Sequence, residues 1–441
     1  MALNLNKYFE AAKKYGLEPF QLSYGLTTET SVSVYNDEIE DQQIGSSSAI
    51  GCKAILNGKK GSFSTDFIDS STPELVASSI ARNAKFGKED FVENYYKGGN
   101  KYKKANILSK DYKESNLSEL KAVALEIAKE TKASDKRIDT VEVSLSMIES
   151  KTFKANSYGV KTSEKSNNFS GYVSVVSKSE DNEPRSGGEF FFSFESLADL
   201  REKSHEAIKS AVKASVDFFK SGPVPSHKYK VVFNPSSVSS LISFYLSQLN
   251  AKTVQKHLSV FEGKLNQLIS SPKLTVRHTP HTAALSSSSY DSDGAPTQDF
   301  DIISKGVLKD YFYSVETAKV DGRETNGCSV GDGNGAPCTI TVKPGKLSLD
   351  QLFGKMKDGL YITDISGLNS GIDSQTLNFS LPTQGYLIED GKIVKAVSMI
   401  LIAGNLKDFF NNIIAVGNDS QLRGSAFTPS LLVGKVCVSG K

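Results

Sequence analysis

The chain has 441 residues, of which 38% are hydrophobic and 23% are charged, a balance typical of folded globular proteins. Its 52 basic and 50 acidic side chains leave a formal net charge of +2, so nucleic acid is not expected as a partner. No apolar run is long enough to predict a membrane span or a signal peptide, and the four cysteines are scattered, so we expect a cytoplasmic protein.

The first elements along the chain alternate between strand and helix patterns. Residues 20–56 contain stretches of period-2 patterning, and the following "NGKKGS" predicts a hairpin turn. The segment "DSSTPELVASSIARNAKF" has the polar cap and early proline of a helix start. Together these patterns predict an N-terminal α+β domain at residues 1–95.

A polar segment rich in Lys, Tyr and Gly precedes the second predicted domain. Asn116 begins a helix that we expect to extend to about residue 132, with apolar residues at helical spacing. Four strand patterns and a further helix, which ends before Gly222-Pro223, follow it. They predict a central α+β domain at residues 113–222.

From Lys228 to the last residue the sequence predicts a third domain. Its beginning reads as strand, turn and helix, and after about residue 272 it is strand-like and rich in Gly, Asn and Asp. We therefore predict an α+β fold, in which N-terminal and central α/β units with antiparallel sheets precede a large, mostly-β C-terminal domain at residues 228–441.

His205-Glu206, in "SHEAIKS", begins like a zinc helix. The HExxH motif places two histidines on one helical face with a glutamate beside them as general base. Here Lys209 and Ser210 occupy the positions where a second ligand is needed. We interpret the pair as lying on the solvent-facing side of an amphipathic helix.

The remaining candidate sites are also weak. His278 and His281 favour a polar loop, with a weak metal site as the alternative. The Gly-rich residues 329–338 favour a turn or surface loop, and the four aspartates of residues 291–301 favour a turn rather than a calcium loop. Cys328 and Cys338 have no histidine close to them in the sequence, which favours ordinary thiols over a nucleophile.

Several segments in one order resemble the TldD/PmbA family, whose members were once described as modulators of DNA gyrase. The most extensive is "SSYDSDGAPTQDFDIISKGVLKDYFYSVETAKVDGRETNG". It is followed by "VKPGKLSLDQLF", "DGLYITDISG", "GYLIEDGKIVKAV" and "LIAGNLKDFFNNIIAVGND". Upstream, "SVSVYNDEIED" and "ANSYGVKTSE" resemble the family's N-terminal and central regions. The resemblance covers nearly the whole chain.

The resemblance carries implications for the site. Family members like TldD hold zinc through an HExxxH helix and a cysteine near the C-terminus, and they cleave extended or unfolded peptides. Alignment at "KVVFNPSSVSSLISFYLSQLNA" puts the two histidine positions at Ser243 and Gln248 and the catalytic glutamate position at Phe244. No cysteine follows Asp419 until Cys437. The resemblance therefore implies no catalytic residue and no metal ligand in this chain.

The resemblance is strongest to the PmbA/TldE-like branch, which lacks the motif. The first hypothesis is a subunit that joins a zinc-bearing TldD-like partner around a shared chamber and binds peptides by strand addition, with residues 291–298 and 403–408 near the peptide. The second is a homo-oligomeric peptide-binding or scaffold protein without catalytic activity, for instance a homodimer. The third is an independent hydrolase that uses Cys328, Cys338 or a serine.

Overall fold

The computed structural model describes residues 4–87, 94–99, 101–105, 107–109 and 111–441. The chain forms two compact units. Residues Met1–Val216 and Asp293–Pro296 make up the first, and Asp217–Ser292 and Thr297–Lys441 make up the second. The first unit therefore includes four residues from the part of the sequence predicted as the C-terminal domain.

A single antiparallel sheet is the centre of the first unit, and within the described residues it has six strands in the order β3-β2-β1-β4-β5-β6. Strand β1 pairs with β2 on one side and with β4 on the other. Strands from both sides of the predicted boundary between residues 95 and 113 thus share one sheet. The strands are β1 Phe20–Tyr35, β2 Glu38–Leu56, β3 Lys59–Thr65, β4 Ile138–Asn156, β5 Lys161–Lys178 and β6 Pro184–Ser193.

The helices of the first unit pack on one face of this sheet. Phe20 and Leu22 of β1 contribute to one apolar core with α1 and α2, and Val32 and Val34 contribute to another with α3 and α4. Because side chains alternate along a strand, these residues share a face. The opposite face carries mostly Ser, Thr and Gly in the central strands. The helices are α1 Leu5–Lys14, α2 Thr72–Ala84, α3 Leu117–Ser134 and α4 Leu197–Val216, with a 3₁₀ turn at Asp111–Lys113.

The second unit contains a barrel-like sheet. Strand β16 pairs with β15 and also with β20, which closes the order β16-β15-β14-β7-β20 on itself, and β17 pairs with β20. The strands that form it are β7 His227–Phe233, β14 Gly359–Ile365, β15 Asn378–Glu389, β16 Lys392–Asn405, β17 Ile413–Val416 and β20 Leu431–Ser439.

A second sheet of this unit has the order β10-β9-β8-β13-β19-β18. Its strands are β8 Val276–His278, β9 Phe300–Ser304, β10 Val307–Leu308, β13 Ile340–Val342, β18 Gln421–Arg423 and β19 Ala426–Thr428, and a small hairpin pairs β11 Ser329–Gly331 with β12 Asn334–Gly335. The helices are α5 Pro235–Ser247, α6 Ala251–Gln255, α7 Val315–Val320, α8 Leu349–Met356, α9 Leu368–Gly371 and α10 Leu406–Asn411.

Local sequence signals explain several of these boundaries. Asn57 and Gly58 turn β2 into β3 with φ values of 49° and 75°, as expected for an Asn-Gly hairpin turn. The side chain of Asn116 accepts a hydrogen bond from the backbone N–H of Glu119, whose carboxylate in turn accepts from the Asn116 N–H, and this capping box begins α3. The predicted α+β class, with antiparallel sheets and a β-rich C-terminal domain, is confirmed. No helix within the described residues is long and apolar enough to cross a bilayer.

Candidate functional site

Helix α5 and its C-cap residue Gln248 carry the three positions at which the sequence predicts a lost zinc motif. Asn234 caps the helix by accepting a hydrogen bond from the Ser237 N–H at 2.9 Å, and Pro235 occupies its first turn. Val238, Leu241, Ile242, Tyr245 and Leu246 are buried in the main core of the second unit. The helix is therefore held firmly, and its remaining positions are fixed relative to that core.

Ser243 and Phe244 have the surroundings of ordinary helical residues. Ser243 is exposed, and its hydroxyl donates a hydrogen bond to the Ser239 carbonyl at 2.7 Å. Phe244 is half-buried and packs against the main core. Neither side chain offers the nitrogen or carboxylate oxygen that a zinc ligand or general base requires.

Gln248 is engaged at both ends of its amide. It is 4% exposed. Its Nε2 donates to the Ser374 carbonyl at 2.5 Å, and its Oε1 accepts from the Val260 N–H at 3.2 Å. The side chain thus joins α5 to two loops, which is a structural task.

The β18–β19 hairpin lies beside α5, in the region where the family resemblance places the third ligand. The Ser239 hydroxyl donates to the Arg423 carbonyl, and the Thr428 hydroxyl donates to the Pro235 carbonyl, both at 2.8 Å. The Asp419 carboxylate is occupied by the N–H and hydroxyl of Ser430, at 2.9 and 2.6 Å. No group of three His, Cys, Asp or Glu side chains among the described residues is arranged to hold a metal ion. The residues here do not fit zinc.

His205 lies on the exposed side of α4 and pairs with a neighbouring helix. Its Nδ1 is 2.7 Å from a carboxylate oxygen of Glu130 in α3, and its side chain is 45% exposed. Glu206 forms an ion pair with Lys209 at 3.1 Å. This geometry agrees with the interpretation of a solvent-facing pair.

His278 lies between Cys328 and Cys338, two of the three cysteines of the second unit. The prediction of a polar loop is wrong for this residue, which is a fully buried member of β8. Its Nε2 is 3.3 Å from the Cys338 sulfur, and its Nδ1 is 3.8 Å from the Cys328 sulfur. The pairing of β8 with β13 brings the segment around residue 338 to His278. Sequence spacing missed this contact because it is made across strands.

Burial controls the chemistry of this cluster. It lowers the pKa of His278 to about 4 and raises the pKa of the Cys328 thiol. The Cys338 N–H also donates to Nε2 of His278 at 3.3 Å. A neutral imidazole can accept hydrogen bonds here, but the imidazolium that would stabilise a nucleophilic thiolate is disfavoured. The cluster therefore gives little support to the cysteine hydrolase hypothesis.

His281 forms a different chain of hydrogen bonds. Its Nδ1 is 2.9 Å from Asp299 Oδ2, and its Nε2 is 3.2 Å from the Thr297 hydroxyl. The order of groups is that of a hydrolase triad. However, Thr297 is 5% exposed, and its hydroxyl donates at 2.6 Å to the Ser288 carbonyl. The arrangement fixes the loop instead of presenting a nucleophile.

The acidic segment 291–301 is also used for structure. Asp291 accepts a hydrogen bond from the Ser329 N–H at 3.0 Å, and Asp301 pairs with Arg277 at 2.9 Å. Asp293, which belongs to the first unit, is fully buried and lies 3.3 Å from Lys53 Nζ. The carboxylates point to separate partners, so they do not form a calcium loop.

The two other predicted loops have simple structures. Residues 329–335 form the β11–β12 hairpin, with positive φ at Asp332 and Gly333, as the turn interpretation predicts. In the 403–408 segment, Asn405 caps α10 by accepting from the Lys407 N–H at 2.9 Å. The expectation that residues 291–298 and 403–408 lie near bound peptide stays a prediction.

Two family models match the chain. The PmbA/TldA metallopeptidase central domain matches residues 110–214, and the PmbA/TldA metallopeptidase C-terminal domain matches residues 226–440. These two segments include α5, the β18–β19 hairpin and the His278 cluster.

Curated relatives and solved structures give the same result. A metalloprotease PmbA homolog of Haemophilus influenzae is 24% identical over 414 residues, which cover 93% of this chain and 90% of that protein. A PmbA homolog of Buchnera aphidicola is 27% identical over 252 residues, which cover 56% of this chain and 55% of that protein. A proposed modulator of a DNA gyrase from Thermotoga maritima has a TM-score of 0.88 at 26% identity, with 99% of both chains covered. TldE of Thermococcus kodakarensis shares the fold, with a TM-score of 0.86 at 19% identity over 99% of this chain and 100% of that one.

Proposed function

The chain belongs to the PmbA/TldD metallopeptidase family, and from this premise we propose that it is a PmbA/TldE-like subunit without a zinc site of its own. It contributes part of the chamber wall and a peptide-binding surface. A TldD-like partner contributes the zinc ion, its ligands and the catalytic glutamate. The complex hydrolyses extended or unfolded peptides.

The observation that carries this proposal is the state of α5. The positions that correspond to the family's ligands and general base hold Ser243, Phe244 and Gln248, and each is committed to a contact within the chain. A subunit with this helix contributes to peptide hydrolysis only through a partner that supplies the metal. All four cysteines are thiols and not disulfides, which supports a reducing, cytoplasmic setting.

The test is co-expression with the TldD-like protein of the same organism. We expect the two chains to co-elute in size-exclusion chromatography and to cleave fluorescein-labelled casein, whereas this chain alone does not. As a control, a partner whose first HExxxH histidine is changed to alanine should still form the complex but lose activity.

Three outcomes would contradict the proposal. Separate elution, with no gain of activity on mixing, would favour the homo-oligomeric binding or scaffold protein. Peptidase activity of this chain alone that survives a strong chelator would favour the independent hydrolase. Activity of this chain alone that the chelator removes would place a metal site within it.

A further inference from the structure

The outermost strand of the first unit, β6, and the residue that follows it carry a row of aromatic rings. Phe190, Phe192 and Phe194 follow each other along one side, with ring centroids 6.1 and 5.4 Å apart. Tyr172 of β5 pairs directly with Phe190 and lies on the same face. Phe190 is 44% exposed and Tyr172 is 46% exposed. We call these four side chains the aromatic row.

Two consecutive glycines allow this arrangement. A Cβ atom at Gly188 would lie 2.2 Å from the Tyr172 hydroxyl oxygen, so a side chain at this position would displace the tyrosine ring from where it crosses β6. A Cβ atom at Gly187 would lie 2.1 Å from the Ala211 carbonyl of α4, on the other face. The Gly187-Gly188 pair thus lets α4 cover one face while Tyr172 extends the aromatic row on the other.

The aromatic row lies on the face that the helices leave uncovered. Phe191, between two members of the row, points to the opposite face and is buried in the core with α3 and α4. Within the described residues β5 is the only strand that pairs with β6. An edge strand has unpaired backbone N–H and C=O groups along its outer side, and apolar side chains beside such an edge promote pairing with another strand.

We propose that the outer edge of β6 binds an extended peptide by strand addition, with alternate apolar side chains of the peptide packed on the aromatic row. The inference rests on the proposed function, because it specifies the substrate class of a peptide-binding subunit. The two-residue repeat of the aromatic row matches the repeat of side chains on one face of an added strand.

The charged side chains around β6 favour one kind of peptide. Exposed carboxylates stand at both ends of the strand, with Glu180, Asp181 and Glu183 before it and Glu195 after it. Arg185 is the nearby cation within β6, and it already pairs with Glu183 at 3.7 Å. These ends favour a peptide with lysine or arginine beside its apolar positions. Antiparallel pairing of two copies in the register centred on residue 189 would instead place Glu183 of one copy near Glu195 of the other, and like charges there oppose it.

The experiment measures binding to the purified chain without a partner subunit. The probe is a fluorescein-labelled peptide that alternates valine with serine and carries lysine at both ends, followed by fluorescence anisotropy at low salt. We expect saturable binding that weakens at least tenfold when both lysines are replaced by glutamate. Two further peptides carry N-methyl groups on alternate backbone nitrogens, one peptide along each of its two edges. Only the peptide that is methylated along the edge facing β6 should fail to bind, because that edge has lost its N–H donors.

Variants of the chain test the aromatic row. The double substitution Phe190→Ser and Phe192→Ser should weaken binding at least tenfold while the chain keeps a cooperative thermal unfolding transition, because both rings lie on the uncovered face. The matched control is Phe67→Ser, which alters a phenylalanine of the first unit that is 62% exposed and lies outside the row. Its affinity should stay within twofold of the wild type.

The outcomes separate this inference from the proposed function. Equal affinity of wild type and double variant would overturn the strand-addition site, even if the complex with a TldD-like partner is active. A concentration-dependent dimer that the double substitution dissolves, without peptide binding, would show that a second copy is the occupant. Peptide binding that depends on the aromatic row, but without any active complex, would support the site and contradict the proposed role as a subunit.

Discussion

At the residue scale, the protonation state of His278 decides what the two adjacent thiols can do. The ring is fully buried and contacts both Cys328 and Cys338. Burial disfavours its charged form and lowers its pKa to about 4. A neutral ring can accept hydrogen bonds from Cys338 at neutral pH, and these contacts help to hold β8 against β13.

This pKa predicts a loss of stability in mild acid. An unfolded histidine has a pKa of about 6.5, above the value of about 4 in the folded chain, so protons bind preferentially to the unfolded state. The contribution of His278 to the free energy of unfolding is therefore complete above pH 6.5 and falls as the pH approaches 4. The expected loss is about 2 kcal/mol at pH 5 and about 3 kcal/mol at pH 4.

Urea unfolding at pH 7 and pH 5 measures this loss. The variant His278→Gln, which keeps a hydrogen-bond acceptor but does not titrate, should lose about 2 kcal/mol less than the wild type between the two pH values. The control variant His227→Gln, at an exposed position, should keep the wild-type pH dependence. If wild type and His278→Gln change equally, the buried neutral state is wrong.

At the element scale, α5 shows how far sequence patterns reach. Asn234-Pro235 and the apolar spacing that follows predict where the helix begins and which side it buries. The partners of Gln248 lie at Ser374 and Val260, and no local pattern predicts contacts with such distant loops. The same limit applies to two other long-range contacts. The contact between His278 and Cys338 joins residues that are far apart in the sequence. Strands β1 and β4 pair, although the sequence patterns place them in different predicted domains.

The different surroundings of Ser243 in α5 and of its C-cap residue Gln248 give a prediction. Gln248→His should lower the free energy of unfolding by about 1–3 kcal/mol, because it leaves the Ser374 carbonyl and the Val260 N–H without their buried partner. Ser243→His should change it by less than about 0.5 kcal/mol, since this position is exposed. Urea denaturation of the two single variants makes the comparison. Equal and small effects would mean that Gln248 is replaceable, and the helix could then tolerate a zinc motif.

At the scale of the whole molecule, zinc should affect the stability of this chain and the activity of the proposed complex differently. The family resemblance places the altered ligand positions on α5 and its C-cap residue, and in the structure the groups at and around these positions form contacts within the chain. A metal that binds only the folded state stabilises it, by about 2.7 kcal/mol when its free concentration is a hundred times its dissociation constant. A chain without such a site gains no such stabilisation.

We therefore expect zinc and 1,10-phenanthroline to leave the melting temperature of the isolated chain unchanged to within about 1 °C. Under the proposed function, the same chelator should abolish casein hydrolysis by the complex with a TldD-like partner, and added zinc should restore it, because the proposal assigns the ion to the partner. Differential scanning fluorimetry of the separate chains and a fluorescence assay of the complex measure the two effects. The isolated partner, whose melting temperature should fall with chelator, is the positive control. A zinc-dependent rise of several degrees in the melting temperature of this chain would contradict the proposal. It would show that the chain binds a metal ion at a site other than α5 and the β18–β19 hairpin.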